Sequence, residues 1–150
     1  MNVYRVAFIG HRKIDEKDHL IAPTDGLIKG ILQSKDYVEF YIGGDGDFDL
    51  LTTISAKMMQ NEMGTHNSRI VYIQPYHTKD DDFYERCYDK VLYPTDCEWN
   101  PKTAITQRNR WIVDHADLLV AYAESDREGE AMKALRYAKR KGIKIINLAI

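Results

Sequence analysis

The sequence is short of cysteine, of basic surplus and of long apolar runs, and each shortage excludes something. Its two cysteines, Cys87 and Cys97, have neither a CxxC partner nor a histidine at zinc spacing. The expectation is two free thiols in a reducing compartment, the cytoplasm. A formal charge of −2 at neutral pH leaves no excess of lysine and arginine for non-specific nucleic-acid binding, so nucleic acid is not an expected partner. No apolar run approaches the ~18 residues of a membrane span, and the opening segment is too short and too strand-like for a signal peptide. No membrane partner is expected. His11, His19, His66, His77 and His115 show no metal-ligand spacing, so no metal is expected either. The GxSxG, Walker A and HxE-with-CxxC patterns are also missing, which leaves the common nucleophile, P-loop and deaminase chemistries without their residues.

What is present fits a single domain, residues 1–150, with ordinary hydrophobic content of 44% and charge of 29%. A chain of this length buries roughly two thirds of the surface its unfolded form exposes. The stretch that organises it is Tyr41-Ile42-Gly43-Gly44-Asp45-Gly46-Asp47-Phe48-Asp49. Val38, Phe40 and Ile42 before it have strand composition, while Leu50, Leu51, Ile54 and Met58 after it fall at helical spacing. A glycine turn at a strand-to-helix junction makes either a plain tight turn or a phosphate cradle, because glycine admits a ligand closely and a helix start carries unpaired N–H donors.

The same alternation runs through the chain. Val3 to Ile9 is a buried strand interrupted only by Arg5, ending at Gly10-His11-Arg12. Pro23 argues against an uninterrupted helix in the next segment, with Thr24 capping a helix that carries Leu27, Ile28, Ile31 and Leu32. Strands are predicted at 37–42, 69–73, 118–122 and 143–148. Helices are predicted over 47–61, 101–115 and 129–141, the second with Asn100 and Pro101 as its start and the last ended by Gly142. Residues 75–100 read as a surface excursion with a helical turn near Phe83 to Cys87 and a short strand near Val91-Leu92-Tyr93. That excursion is either a solvated loop or a lid over a ligand. Apolar strands alternating with amphipathic helices predict an α/β fold, a Rossmann-like three-layer sandwich whose mostly parallel sheet carries helices on both faces and its ligand at the carboxyl ends of the strands.

Polar residues gather after three of these strands, at Gly10 to Arg12, at Gly43 to Asp49 and at Ala123 to Glu130, which a parallel sheet brings to one edge. Arg12 is suited to phosphate. Ile105, Arg108 and Ile112 stand at i, i+3 and i+7, so Arg108 should point inward and pair with Asp49 or with a ligand anion. Asp45, Asp47 and Asp49 could meet ribose hydroxyls or stabilise positive charge in N-glycosidic cleavage. Of these, Asp47 reads as the helix cap and Asp49 as the functional candidate.

The set Phe8-Ile9-Gly10-His11-Arg12, Phe40 to Asp49, and Gln107-Arg108-Asn109 ahead of His115-Ala116-Asp117 resembles the SLOG superfamily, which includes YpsA-like proteins, the DNA-processing protein DprA and the LOG cytokinin-activating phosphoribohydrolases. The resemblance spans nearly the whole chain. It implies a Rossmann-like nucleotide-binding domain, frequent homo-oligomers, and a ligand held by Gly10, His11, Arg12, Gly43, Gly44, Asp45, Gly46, Asp49, Arg108, Asn109 and Gly129. No additional cofactor is implied. LOG enzymes carry PGGxGTxxE after the penultimate strand, with its glutamate acting alongside an arginine matched here by Arg108. In this chain the loop reads Ser125 to Lys133, only Gly129 remains of the glycine cluster, and Lys133 stands at the glutamate's place. The expected function is therefore a cytoplasmic nucleotide-binding sensor or accessory protein. The alternative is an N-glycosidic hydrolase or transferase acting on a nucleotide, with Asp49 or Glu128 as its carboxylate.

Overall fold

The protein is described by a computed structural model over residues 2–94, 100 and 102–149. The elements run β1 (Val3–Gly10), a 3-10 turn (Lys17–Leu20), α1 (Ile21–Ser34), β2 (Tyr37–Ile42), α2 (Asp47–Met63), β3 (Ser68–Ile73), α3 (Asp81–Cys87), β4 (Lys90–Leu92), α4 (Ala104–Asp114), β5 (Leu118–Tyr122), α5 (Glu130–Lys141) and β6 (Lys144–Asn147). All six strands join one parallel sheet in the order β4-β3-β2-β1-β5-β6. This is the Rossmann-like three-layer sandwich that the alternating pattern predicts.

The sheet is buried on both faces, which is why its strands are nearly continuous in apolar residues. On one face Phe8, Phe40 and Ile70 pack against Ile28 and Leu32 of α1, Phe48 and Met59 of α2, and Tyr84 of α3. The other face is built from smaller groups, Ala7 and Ala121 meeting Ala131, Leu135 and Ala138 of α5 and Ile112 of α4. Arg5, the charge that interrupts β1, lies in register with Glu39, and Glu39 with Arg69. The buried Glu39 carboxylate accepts from both arginines, with Nε distances of 3.0 Å and 2.6 Å, so a charge inside the sheet is neutralised by its two neighbours.

The chain winds outward from β1 to β4, with α1, α2 and α3 on one face, then returns to place β5 on the other side of β1. The winding therefore reverses between β1 and β5, and in open parallel sheets such a reversal leaves a crevice at the carboxyl ends of the strands.

Several boundaries differ from the sequence-based expectation. Helix α1 begins at Ile21 with Pro23 in its first turn, where the missing N–H has no intrahelical partner to lose, and Thr24 is fully buried rather than a cap. On α2 the stripe Leu50, Ile54 and Met58 is half exposed, while Phe48, Thr52, Ser55, Ala56 and Met59 face inward. Small side chains on that inner face let the helix lie close to the sheet. Helix α4 starts at Ala104, because Asn100 makes a turn by accepting Lys102 N–H on Oδ1 and Thr103 N–H on its carbonyl. Pro101 and Cys97 lie outside the described residues. The segment 75–94 carries α3 and the edge strand β4, and Tyr84 and Tyr88 anchor it in the core.

Candidate functional site

A cavity of about 300 Å³ opens at the carboxyl ends of β1, β2 and β5. Nine of the ligand-binding candidates line it: Gly10 at the end of β1 with His11 and Arg12 from the loop after it, Gly43, Gly44 and Asp49 from the β2–α2 junction, Arg108 and Asn109 from α4, and Gly129 before α5. A smaller lobe of about 180 Å³ continues toward the end of β3, where Asp45 joins Tyr72, Gln74, Tyr76 and Tyr84. Arg12, Gly43, Gly44, Ile105 and Arg108 border both spaces. Gly46 borders neither.

Arg108 sits inward on α4 and is 8% exposed. Its Nε donates to Asn109 Oδ1 at 3.1 Å, yet among the described residues no carboxylate oxygen comes within the 4.0 Å of an ion pair. The β2 loop is shaped to receive it. A Cβ on Gly43 would stand 2.7 Å from Arg108 Nε, so glycine is required there for the side chain to lie against the backbone. Neither Gly43, Gly44 nor Gly46 has positive φ, so these glycines serve close approach rather than a left-handed turn. Gly46 does the same for the loop after β1, since its Cβ would meet Arg12 Cα at 2.8 Å. Gly129 is different, with φ 142° and ψ −169° at the start of α5, a backbone region essentially confined to glycine.

The acidic residues divide their tasks otherwise than the sequence suggests. Asp47 is the first helical residue of α2 and accepts from Ile14 N–H at 2.9 Å, tying the loop after β1 to α2; that bond holds its carboxyl below the usual range. Asp49 is the residue that caps, its Oδ2 accepting from Gly46 N–H at 3.1 Å. Asp49 also faces the cavity, and burial pushes its carboxyl up to about 6 against the pull of Arg108 and the Gly46 N–H. The Asp45 carboxylate accepts from Tyr84 Oη at 2.6 Å, with Tyr72 stacked on Tyr84 at 4.3 Å between ring centroids. Glu128, the other catalytic candidate, stands at the rim with its carboxylate turned outward: it pairs with Arg136 at 2.7 and 3.1 Å, which keeps it ionised in solvent. Lys133, which stands where the LOG signature has glutamate, pairs with Glu130 at 3.3 Å.

His11 closes the crevice between β1 and β5. Its backbone N–H donates to Tyr122 O, and its Nε2 accepts from Glu124 N–H at 2.8 Å. That bond requires the neutral ring with the proton on Nδ1. Burial and the nearby Arg127 hold His11 below the ordinary imidazole range. Among the described residues no three His, Cys, Asp or Glu side chains converge to hold a metal ion.

No protein-family model matches this chain, and no curated protein matches it. What the cavity can do therefore follows from its own chemistry. Arginine cations and the amides of the first turn of α5 surround a space bordered by the Asp49 carboxyl, half neutral near pH 6, and by Glu130, which Thr106 and Lys133 engage. Such a space suits an anion.

The sequence did not single out Ile105, Arg127, Gln74 or Tyr76 as site residues. Gln74 and Tyr76 follow β3 as the recognised residues follow β1 and β2, so the strand-end rule that located the first two loops would have located this one. Arg127 donates to Lys13 O at 3.0 Å and Glu124 at 3.2 Å, a cross-loop tie that only the fold reveals.

Proposed function

We propose that this chain is a nucleotide-binding protein of the SLOG type, holding phosphate and ribose at the carboxyl ends of β1, β2 and β5. The observation that carries this reading is Arg108: a buried guanidinium with no carboxylate partner among the described residues, bordering both lobes of the cavity. Burying a cation is costly unless an anion answers it, and a phosphate entering from the cavity answers it with charge-assisted bonds of about 1.5–3 kcal/mol each. Arg12 supplies a second guanidinium at the mouth, and the first turn of α5 behind Gly129 supplies N–H donors. Calorimetry with ribose 5-phosphate and nucleoside monophosphates tests the reading; no binding by any of them contradicts it.

The catalytic reading, N-glycosidic hydrolysis or transfer, is favoured by one feature. The Asp49 carboxyl at about 6 is tuned close to working pH beside the buried Arg108 guanidinium. Its reach-back bond to Gly46 supplies a structural reason for the same residue, and Glu128 is engaged elsewhere, so binding without turnover is the reading we adopt. Release of free base from nucleoside monophosphates separates the two: the binding reading expects none from the wild-type protein, and release overturns it.

The reading places the protein in the cytoplasm; no helix among the described residues is long and apolar enough to cross a membrane. The resemblance also implies a homo-oligomer. Ile21, Leu50, Ile54 and Met58, each about half exposed along α1 and α2, give that face the apolar character a contact with a second copy would use. Light scattering measures it.

A further inference from the structure

The geometry points to a ligand whose phosphate is a bridge, esterified on both sides, with one organic group in each lobe of the cavity. The inference rests on the proposed function, which sets phosphate against Arg108, and adds that this phosphate lies in the middle of the molecule rather than at its end.

The larger lobe, about 300 Å³, and the smaller, about 180 Å³, share Arg12, Gly43, Gly44, Ile105 and Arg108. Pockets for small molecules run from about 300 Å³ upward, so the smaller lobe extends the same site rather than forming a second one. Both shared cations stand at the junction. Its floor is bare backbone: a Cβ on Gly43 would stand 2.7 Å from Arg108 Nε, and one on Gly44 would stand 2.8 Å from Asp49 Oδ2 and 3.9 Å from Arg108 Nη2. A phosphate at Arg108 therefore lies between the lobes, with space on both sides of it.

The two ends differ from the junction. Past Arg12 and Arg108 the described lining of the smaller lobe holds no cation, and its one further charge is the Asp45 carboxylate, which accepts from Tyr84 Oη at 2.6 Å. That end repels a second anion and suits an uncharged group, with the half-exposed Tyr76 and Ile105 as surfaces for a ring to stack on. The larger lobe runs the other way, to the neutral His11 ring and the start of α5.

Charge gives the same answer. Burial lowers Arg108, and the charges of Asp49 and Asp45 draw it back up, so both carboxylates are felt at the junction. Each is already engaged, Asp49 by Gly46 N–H and Asp45 by Tyr84, which leaves the arginines open to an anion. Two negative charges nearby nevertheless make a doubly charged anion costlier there than a singly charged one. A terminal phosphate monoester brings about 1.5 to 2 negative charges at neutral pH, whereas a phosphate esterified on both sides brings one.

The experiment is calorimetry on the full chain near neutral pH with ribose 5-phosphate, AMP, and two diadenosine compounds, one joined through a single phosphate and one through a diphosphate. The nucleoside is the same throughout, so the comparison isolates the bridge. At least one bridged compound should bind about tenfold or more tighter than AMP, the lower end of what one further stacked base adds; which of them does so tells one bridging phosphorus from two. Tyr76→Ala, at an exposed position, should bring that ratio toward one while ribose 5-phosphate affinity and the melting temperature stay near wild type. Neither bridged compound tighter than AMP, with ribose 5-phosphate still bound, overturns this inference and leaves the proposed function standing. A ratio that survives in Tyr76→Ala overturns the seating of the second group in the smaller lobe. Failure of all four probes to bind overturns both readings. The wild-type comparison needs no variant to fold.

Discussion

Replacing Asp49 by asparagine should remove a pH dependence that the wild-type fold carries. The Asp49 carboxyl is raised from 3.8 to about 6, chiefly by burial. That displacement corresponds to about 3 kcal/mol of cost once the group ionises in the folded state. Because the side chain is partly open to the cavity, solvent screening reduces the figure to about 1–2 kcal/mol. The sign follows from proton counting. Below about pH 4 the group is protonated in both states; between about pH 4 and 6 the folded protein keeps a proton that the unfolded chain releases, so stability falls as pH rises through that window and levels off above it. The asparagine side chain keeps the shape and an oxygen for Gly46 N–H, so the comparison isolates the charge. Urea unfolding of both proteins from about pH 4 to about pH 7 should show the Asp49→Asn variant gaining on wild type by about 1–2 kcal/mol across the window, then holding constant. A wild-type-to-variant difference that is flat with pH, or that runs the other way, refutes the burial argument.

His11 contributes with the opposite sign. Its folded value is lowered from the ordinary 6.5, so its stabilising bond is fully present above that pH and is lost as acid protonates the folded ring. His11→Ala should cost about 1–2 kcal/mol at neutral pH, with the gap to wild type closing under acid in the same urea titration. Gly43→Ala places a Cβ 2.7 Å from Arg108 Nε and 2.8 Å from its Cδ. Displacing that side chain should cost about 1–3 kcal/mol of stability and weaken phosphate binding while far-UV circular dichroism is retained; unchanged affinity would contradict the packing.

The sheet was legible because a parallel strand buried on both faces has no polar alternation to disguise it: 37–42 and 118–122 are placed to the residue. Arg108 was legible for a related reason, since its register with Ile112 on α4 left only one direction to point. Helix starts were less so. Pro23 reads as a barrier, yet a first turn tolerates it, and Asn100 reads as a cap although it makes a separate turn. The spacing of Leu50, Leu51, Ile54 and Met58 marks α2 as a helix, but its inward side is less legible, because small residues such as Ser55 and Ala56 carry little hydrophobic signal while allowing the closest packing. At the site, the glycine run reads from sequence as a turn or a cradle, whereas Gly43 and Gly46 clear room for Arg108 and for the Arg12 backbone. Neighbours that far apart in sequence leave no local trace. Gln74 and Tyr76 follow β3 at the same sheet edge, so the strand-end rule that locates the loops after β1 and β2 reaches them as well.

The claim at the centre is that the buried Arg108 awaits a phosphate. Titration of ribose 5-phosphate into wild-type protein and into Arg108→Gln, both checked for cooperative unfolding, tests it most directly. The account predicts saturable binding by the wild type and a loss of about tenfold to a hundredfold in the variant, the equivalent of one charge-assisted bond. Equal affinity in the two proteins, or no binding by the wild type together with none of any nucleotide, would contradict it.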